Sequence, residues 1–208
     1  MDDQPSLLFS YLKVLQLRVL KEMSYVSKCD WNRFLIPRYS PLHFPFQNLT
    51  YVSLWSCPKI TYLFSPLMAK YLSNLKSVYI GRCDGIEEVT SSRDDENEKN
   101  TSTSFEKNTT LFPCLETLYL EVLTLLNRVD GGDRSRSHTI SSNITNTIHD
   151  QSQSGQVIGA CWSLCQYPRD IEINECPALS SLIPWYAVGQ MERLEELRIV
   201  NCKTMMEC

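Results

Sequence analysis

An apolar string of fixed spacing, L-x-x-[VIL]-x-[LI]-x-x-[CL]-x-x-[ILM]-x-x-[LV], recurs along the chain and restricts it to architectures in which self-similar units stack. Two copies run without a gap. Leu49, Val52, Leu54, Cys57, Ile60 and Leu63 are followed by Leu75, Val78, Ile80, Cys83, Ile86 and Val89, every position advancing by the same period of 26. Near the C-terminal end, Ile171, Ile173, Cys176, Leu179 and Leu182 precede Leu194, Leu197, Ile199, Cys202 and Met205, and Cys176 to Cys202 is again 26. Two further copies carry leucine in the cysteine column: Leu12, Leu15, Leu17, Leu20 and Met23, and Leu115, Leu118, Leu120, Leu123 and Leu126. Pro168 stands where the leading leucine of the Cys176 copy belongs, so that unit is expected to be distorted.

This spacing fits a leucine-rich repeat, in which the L-x-L segment is a short strand and the later apolar positions turn inward from the return segment. One such unit cannot bury its own core, but a stack can. The expected fold class is therefore an α/β solenoid: a leucine-rich-repeat horseshoe with a short-stranded parallel sheet on the concave face and an irregular or short helical convex side. Met68–Ser73 and Gly189–Leu194, with apolar residues three or four apart, are candidates for the helical turns. Strand alternation sends Val52 and Leu54 inward and Tyr51, Ser53 and Trp55 outward. The same rule exposes Ser77, Tyr79 and Gly81, then Thr117, Tyr119 and Glu121, then Asp170, Glu172 and Asn174, then Glu196, Arg198 and Val200. The recurrent cysteine reads as a small buried residue that closes the turn after the strand.

Residues 1–208 then form one leucine-rich-repeat domain of about six repeats, which reads as partial because neither end offers a polar cap. Two stretches break the period. Residues 90–110, with the run Asp94-Asp95-Glu96-Asn97-Glu98, form an acidic polar insertion. Cys83 to Leu123 is a step of 40 in place of 26, so this insertion extends a single repeat and leaves the phase intact. Residues 130–160 form a Ser/Thr/Asn-rich insertion. The step from Leu123 to Cys176 is close to two repeats, so the alternative is a degenerate unit around Ile140, Ile144 and Ile148; the missing L-x-L core favours the insertion.

Composition narrows the function. Twenty lysines and arginines against 24 aspartates and glutamates give a net charge of −4, which argues against a phosphate-tracking surface and hence against nucleic acid. No apolar run approaches the roughly 20 residues of a membrane span. Met1-Asp2-Asp3-Gln4-Pro5-Ser6 is acidic and polar where a secretory signal is basic and then apolar, so an intracellular compartment is expected, with the four N-x-[ST] sequons unused. Nine cysteines cannot complete a disulfide framework, and only Cys161 and Cys165 approach zinc-ligand spacing, with no second pair. His43, His138 and His149 lie in no nucleophile motif, and the seven glycines form no phosphate-binding loop. No catalytic, cofactor-binding or metal-binding residue is assigned: the chain does not read as an enzyme.

The wording of the repeats carries more than their period. Phe46-Gln-Asn-Leu-Thr50 through Cys57-Pro-Lys-Ile-Thr-Tyr-Leu-Phe-Ser-Pro-Leu67, Leu75-Lys-Ser-Val-Tyr-Ile-Gly-Arg-Cys-Asp-Gly-Ile-Glu-Glu-Val89, and Trp162-Ser-Leu-Cys-Gln-Tyr167 with Cys176-Pro-Ala-Leu-Ser-Ser-Leu-Ile-Pro184 resemble the leucine-rich-repeat region of plant coiled-coil, nucleotide-binding (NBS-LRR) disease-resistance proteins. The resemblance implies a cytoplasmic immune receptor in which this region senses a pathogen effector, or a host protein altered by one, and restrains a nucleotide-binding switch. The chain contains no such switch, and no ADP- or ATP-binding residue can be assigned. On the concave face Tyr51, Trp55, Tyr79 and Tyr119 are expected to supply rigid aromatic contact area, with Glu172, Glu196 and Arg198 setting charge preference. The competing reading is that these tyrosines only fill a strand surface where aromatic residues pack well. A leucine-rich-repeat substrate receptor of a ubiquitin ligase is the alternative function, because cysteine-containing repeats of this length occur there too.

Overall fold

The computed structural model describes residues 11–26, 46–64, 68–69, 72–91, 112–129, 167–180, 182 and 191–204. Eight strands occur among them: β1 Val14–Arg18, β2 Tyr51–Trp55, β3 Tyr62–Phe64, β4 Ser77–Gly81, β5 Glu88–Thr90, β6 Thr117–Glu121, β7 Asp170–Asn174 and β8 Glu196–Val200. Each L-x-L segment forms one strand, and these six make a parallel sheet in the order β1-β2-β4-β6-β7-β8. Pairing runs without offset, so that Leu17, Leu54, Ile80, Leu120, Ile173 and Ile199 form one row across the sheet.

The register follows from burial. A slip of one residue would turn Val52 and Leu54, Val78 and Ile80, and Leu118 and Leu120 toward solvent, whereas all six are at most 1% exposed. Beneath the sheet, the cysteine-column and later apolar positions, Cys57, Ile60 and Leu63 in one repeat and Cys83, Ile86 and Val89 in the next, close a single continuous core. Phe64 and Phe112 meet within it at 5.1 Å between ring centroids. Gly85 is required where repeats press closest: a Cβ there would collide with the Pro58 and Ile60 carbonyl oxygens of the preceding repeat.

Backbone hydrogen bonds grip each repeat at both ends of its strand. At the entrance, the N–H before each strand donates back to the equivalent carbonyl of the previous repeat: Thr50 to Lys13, Lys76 to Thr50, Glu116 to Lys76, Arg169 to Glu116 and Glu195 to Arg169, all at 2.7–2.8 Å. At the exit, Val19, Ser56, Arg82, Val122, Glu175 and Asn201 are all left-handed, with φ between 51° and 58°. This turn aims the N–H forward. Val19 donates to the Trp55 carbonyl, Ser56 to Gly81, Arg82 to Glu121, Val122 to Asn174 and Glu175 to Val200, at 2.8–3.0 Å. None of the six is glycine, and the conformation costs about 1 to 2 kcal/mol for a residue with a Cβ, most for the β-branched valines. The cysteine two residues after each strand completes the turn by donating its thiol to the strand's last carbonyl: Cys57 to Trp55 at 3.5 Å, Cys83 to Gly81 at 3.2 Å, Cys176 to Asn174 at 3.5 Å and Cys202 to Val200 at 3.5 Å. Burial pushes the Cys83 thiol up to about 11 and the Cys176 thiol up to about 12.

Several expectations need correction. The unit at Pro168 is not distorted: the proline is buried in the leucine's place, and the entrance donor is Arg169, so the N–H that proline lacks is not needed. On the return side, Met68 and Ala69 are the only α-helical residues among those described, and Met191–Leu194 is a turn. There β3 pairs with β5 in a second, two-stranded parallel sheet extended by a bridge from Glu88 to Arg128. Thr90 ends β5 and is buried with Ser91. The remainder of 90–110 and all of 130–160 lie outside the described residues. β6 and β7 pair directly along their whole length. Finally, Leu197 and Ile199 sit in the inward row yet are 48% and 38% exposed, because among the described residues β8 has a neighbour on one side only.

Three measurements test this frame. Leu54→Ala should lower unfolding stability by about 2 to 5 kcal/mol in chemical denaturation, and Ile199→Ala, in the same row but half-solvated, by less than about 1 kcal/mol. Val122→Asn should raise stability by about 1 kcal/mol, because asparagine tolerates the left-handed turn that valine resists. The raised Cys83 and Cys176 values stabilise the folded state fully below the ordinary thiol value of 9.0, and that contribution is lost as pH climbs toward 11 and 12. Denaturation midpoints should therefore fall from about pH 9 upward, and fall less steeply in a Cys83→Ala/Cys176→Ala variant.

Candidate functional site

The face of the six-stranded sheet opposite the core carries three columns of side chains, because residues two apart on a strand share a face and the strands pair without offset. The middle column is Gln16, Ser53, Tyr79, Tyr119, Glu172 and Arg198. It is flanked on the entrance side by Val14, Tyr51, Ser77, Thr117, Asp170 and Glu196, and on the exit side by Arg18, Trp55, Gly81, Glu121, Asn174 and Val200.

Tyr51, Tyr79 and Tyr119 come together. The Tyr51 and Tyr79 rings lie 5.4 Å apart at 32°, and the Tyr79 and Tyr119 rings 5.6 Å apart at 31°, an offset tilted stack that crosses β2, β4 and β6. All three remain half-buried, so one flank of the stack reaches solvent. Beside them Ser53, expected on the surface, is 4% exposed. Its register neighbours in the row are Gln16 and Tyr79. Gly81 is likewise buried, and the reason is Trp55: the indole lies across the neighbouring strand so closely that a Cβ on Gly81 would run into the ring. The Arg82 guanidinium sits 5.6 Å from the Trp55 ring centroid. Trp55 is thus a half-buried plate with a cation over it, where alternation alone places a free solvent-facing side chain. Arg82 was hidden from pattern reading because it sits after the strand, and only its left-handed turn carries it back over the indole.

The stack ends against carboxylates. Glu172 is the register neighbour of Tyr119 on β7, and Asn174 Nδ2 donates to Glu172 Oε1 at 2.9 Å. The Tyr119 hydroxyl donates to Glu121 Oε2 at 3.0 Å. Partial burial, and then this carboxylate, raise the Tyr119 phenol above its ordinary value, which keeps it protonated and donating. Both carboxylates are therefore held by neutral donors. Glu196 and Arg198 instead pair with each other at 3.0 Å on the exposed β8 strand, an ion pair of small energetic weight. Glu121 and Asn174 shared the outward alternation with the expected site residues, but their hydrogen bonds are what make them part of the surface.

No group of three or more histidine, cysteine, aspartate or glutamate side chains disposed to hold a metal ion occurs among the described residues. No helix among them is long and apolar enough to cross a membrane. What the geometry offers is a broad, ordered face of aromatic area bordered by acid.

A family model described as plant disease resistance protein RPS2-like, leucine-rich repeats, matches residues 36–146, just over half of the 208. The match takes in β2, β4 and β6 and with them Tyr51, Trp55, Tyr79 and Tyr119, while Glu172, Glu196 and Arg198 lie beyond it. No curated protein and no solved structure matches the chain. Repeating strands, an unbroken register and the matched segment lead to one assignment: the chain belongs to the leucine-rich repeats of RPS2-like plant disease resistance proteins.

Proposed function

We propose that the outward face of the sheet is the protein-recognition surface of a cytoplasmic plant immune receptor of the NBS-LRR type, sensing a pathogen effector or a host protein altered by one. The observation that carries this reading is the tyrosine stack. Three rings in successive contact lose little further conformational freedom on binding and present amphipathic area at a fixed spacing, the kind of anchor that dominates protein interfaces. The same stacking is what cross-strand packing alone would produce, so the two roles coexist in the same atoms, and only a binding measurement separates them. Membership of a disease-resistance family supports immune recognition over the alternative of a ubiquitin-ligase substrate receptor. Autoinhibition of a nucleotide-binding domain belongs to the same proposal and would use whatever part of the surface the partner leaves free.

In a complete receptor carrying this region, Tyr79→Ala should reduce partner-triggered signalling about tenfold or more at equal protein abundance, the loss typical of a central interface aromatic. Lys76→Ala, which removes an exposed ion pair with Glu116 beside the strand entrance, should leave signalling unchanged. Normal signalling by the Tyr79 variant at matched abundance would move recognition off this face.

A further inference from the structure

We infer that the protein segment seated on the outward face presents an arginine to the end of the tyrosine stack, where Tyr119 meets the carboxylates of β6 and β7, and an apolar side chain two residues away to Tyr79. This deepens the reading of that face as the recognition surface and rests on it. The charge of the inner strands chooses the partner. The outward columns of β2, β4, β6 and β7 hold no lysine or arginine, and their three carboxylates, Glu121, Asp170 and Glu172, all lie on β6 and β7. None of the three is in an ion pair among the described residues. Arg198, the register neighbour of Glu172, is turned to Glu196 instead. At the other end of the stack, the Arg82 guanidinium lies over the Trp55 indole. The face is thus acidic toward β7 and apolar with a cation toward β2.

The last ring and the carboxylates call for the same group. Tyr119 ends the stack, so its side away from Tyr79 is turned toward β7 and Glu172. The face of an aromatic ring is negative, so a carboxylate beside it is left without compensation until a cation contacts both. The Tyr119 hydroxyl and the Asn174 amide each hold one carboxylate oxygen, Glu121 Oε2 and Glu172 Oε1, and leave the second oxygen of each without a donor among the described residues. Both acids are therefore oriented in advance, and ordering them costs the partner little. A guanidinium lies flat on a ring while its N–H fork reaches carboxylate oxygens; an ammonium lacks both the plane and the fork, which favours arginine over lysine. An extended segment fits the spacing as well. Residues two apart on it point the same way about 6.6 Å apart, near the 5.6 Å step from Tyr79 to Tyr119. With the arginine at Tyr119, the side chain two positions away falls over Tyr79, and Arg82 beyond it disfavours a second cation there.

The probe is a phage-displayed library of random linear peptides selected on the purified chain, with the selected sequences resynthesised and their affinities measured by fluorescence anisotropy. The selected peptides should share an arginine with an apolar residue two positions away, and should lose binding to a Tyr79→Ala chain. Glu172→Gln and Glu121→Gln, checked for retained folding by circular dichroism, should each weaken the peptide about fivefold, as expected for loss of one half-exposed charge contact. Neither should further weaken the same peptide with its arginine replaced by glutamine, because the coupling is between those groups. The effect should shrink as salt is raised. Peptides that need Tyr79 yet share no arginine, or that keep their affinity for both glutamine variants, would overturn the inference and leave the recognition surface in place. Peptides indifferent to Tyr79→Ala, or a selection that yields none, would remove the recognition surface and the inference with it.

Discussion

The left-handed residue after each strand is the constraint on which the rest of the molecule depends. It turns the chain out of the sheet and sends one N–H into the last carbonyl of the next strand, as Val122 does to Asn174 at 2.9 Å. Together with the entrance bond in the opposite direction, it fixes where each strand begins and ends relative to its neighbour. The inward leucines and the outward tyrosines are both consequences of that fixed register. The conformational cost is met locally in the inner repeats, by a backbone bond that water would otherwise supply and by burial of the residue that follows, Cys57, Cys83, Leu123 or Cys176. Stability is thereby distributed over nearest-neighbour contacts, as expected of a one-dimensional stack.

The proposed recognition surface is the face that this arrangement leaves free. An unslipped parallel register brings Tyr51, Tyr79 and Tyr119 into contact although each belongs to a different repeat and an acidic insertion separates the second from the third. It also places Glu172 beside Tyr119 and lets the residues two along each strand, Glu121 and Asn174, hold the hydroxyl and the carboxylate in place. Trp55 uses the one position in its column without a side chain, Gly81, to lie flat. The surface is therefore set by pairs across strands more than by single positions.

What was legible in the sequence was the part that obeys a period. All six strands of the main sheet fall on the L-x-L segments, and the buried cysteines fall in their column, because a binary pattern with a fixed spacing determines both. The left-handed turns were not legible, since valine, serine, arginine, glutamate and asparagine occupy them and none signals positive φ as glycine would. The β3–β5 pair escaped because such short strands carry no periodicity of their own. Gly81 was assigned to solvent by alternation, which counts positions along one strand and cannot see the Trp55 indole leaning over from the next, and Ser53, also assigned there, is buried. Leu197 and Ile199 show the same limit from the other side. Their pattern equals that of Leu54, and only the lack of a second neighbouring strand among the described residues distinguishes them.

The length of chain between consecutive sheet strands varies widely. It is one period from Leu54 to Ile80, about half as much again from Ile80 to Leu120 and about twice a period from Leu120 to Ile173, yet the pairing at each step is unshifted. Chain length on the return side and composition of the outward columns are thus independent variables. A gene can lengthen, shorten or rewrite one return segment without moving any tyrosine or carboxylate on the opposite face. It can also exchange a surface residue without renegotiating the fold. Such decoupling lets a lineage search for new specificities one column position at a time, with its scaffold unchanged.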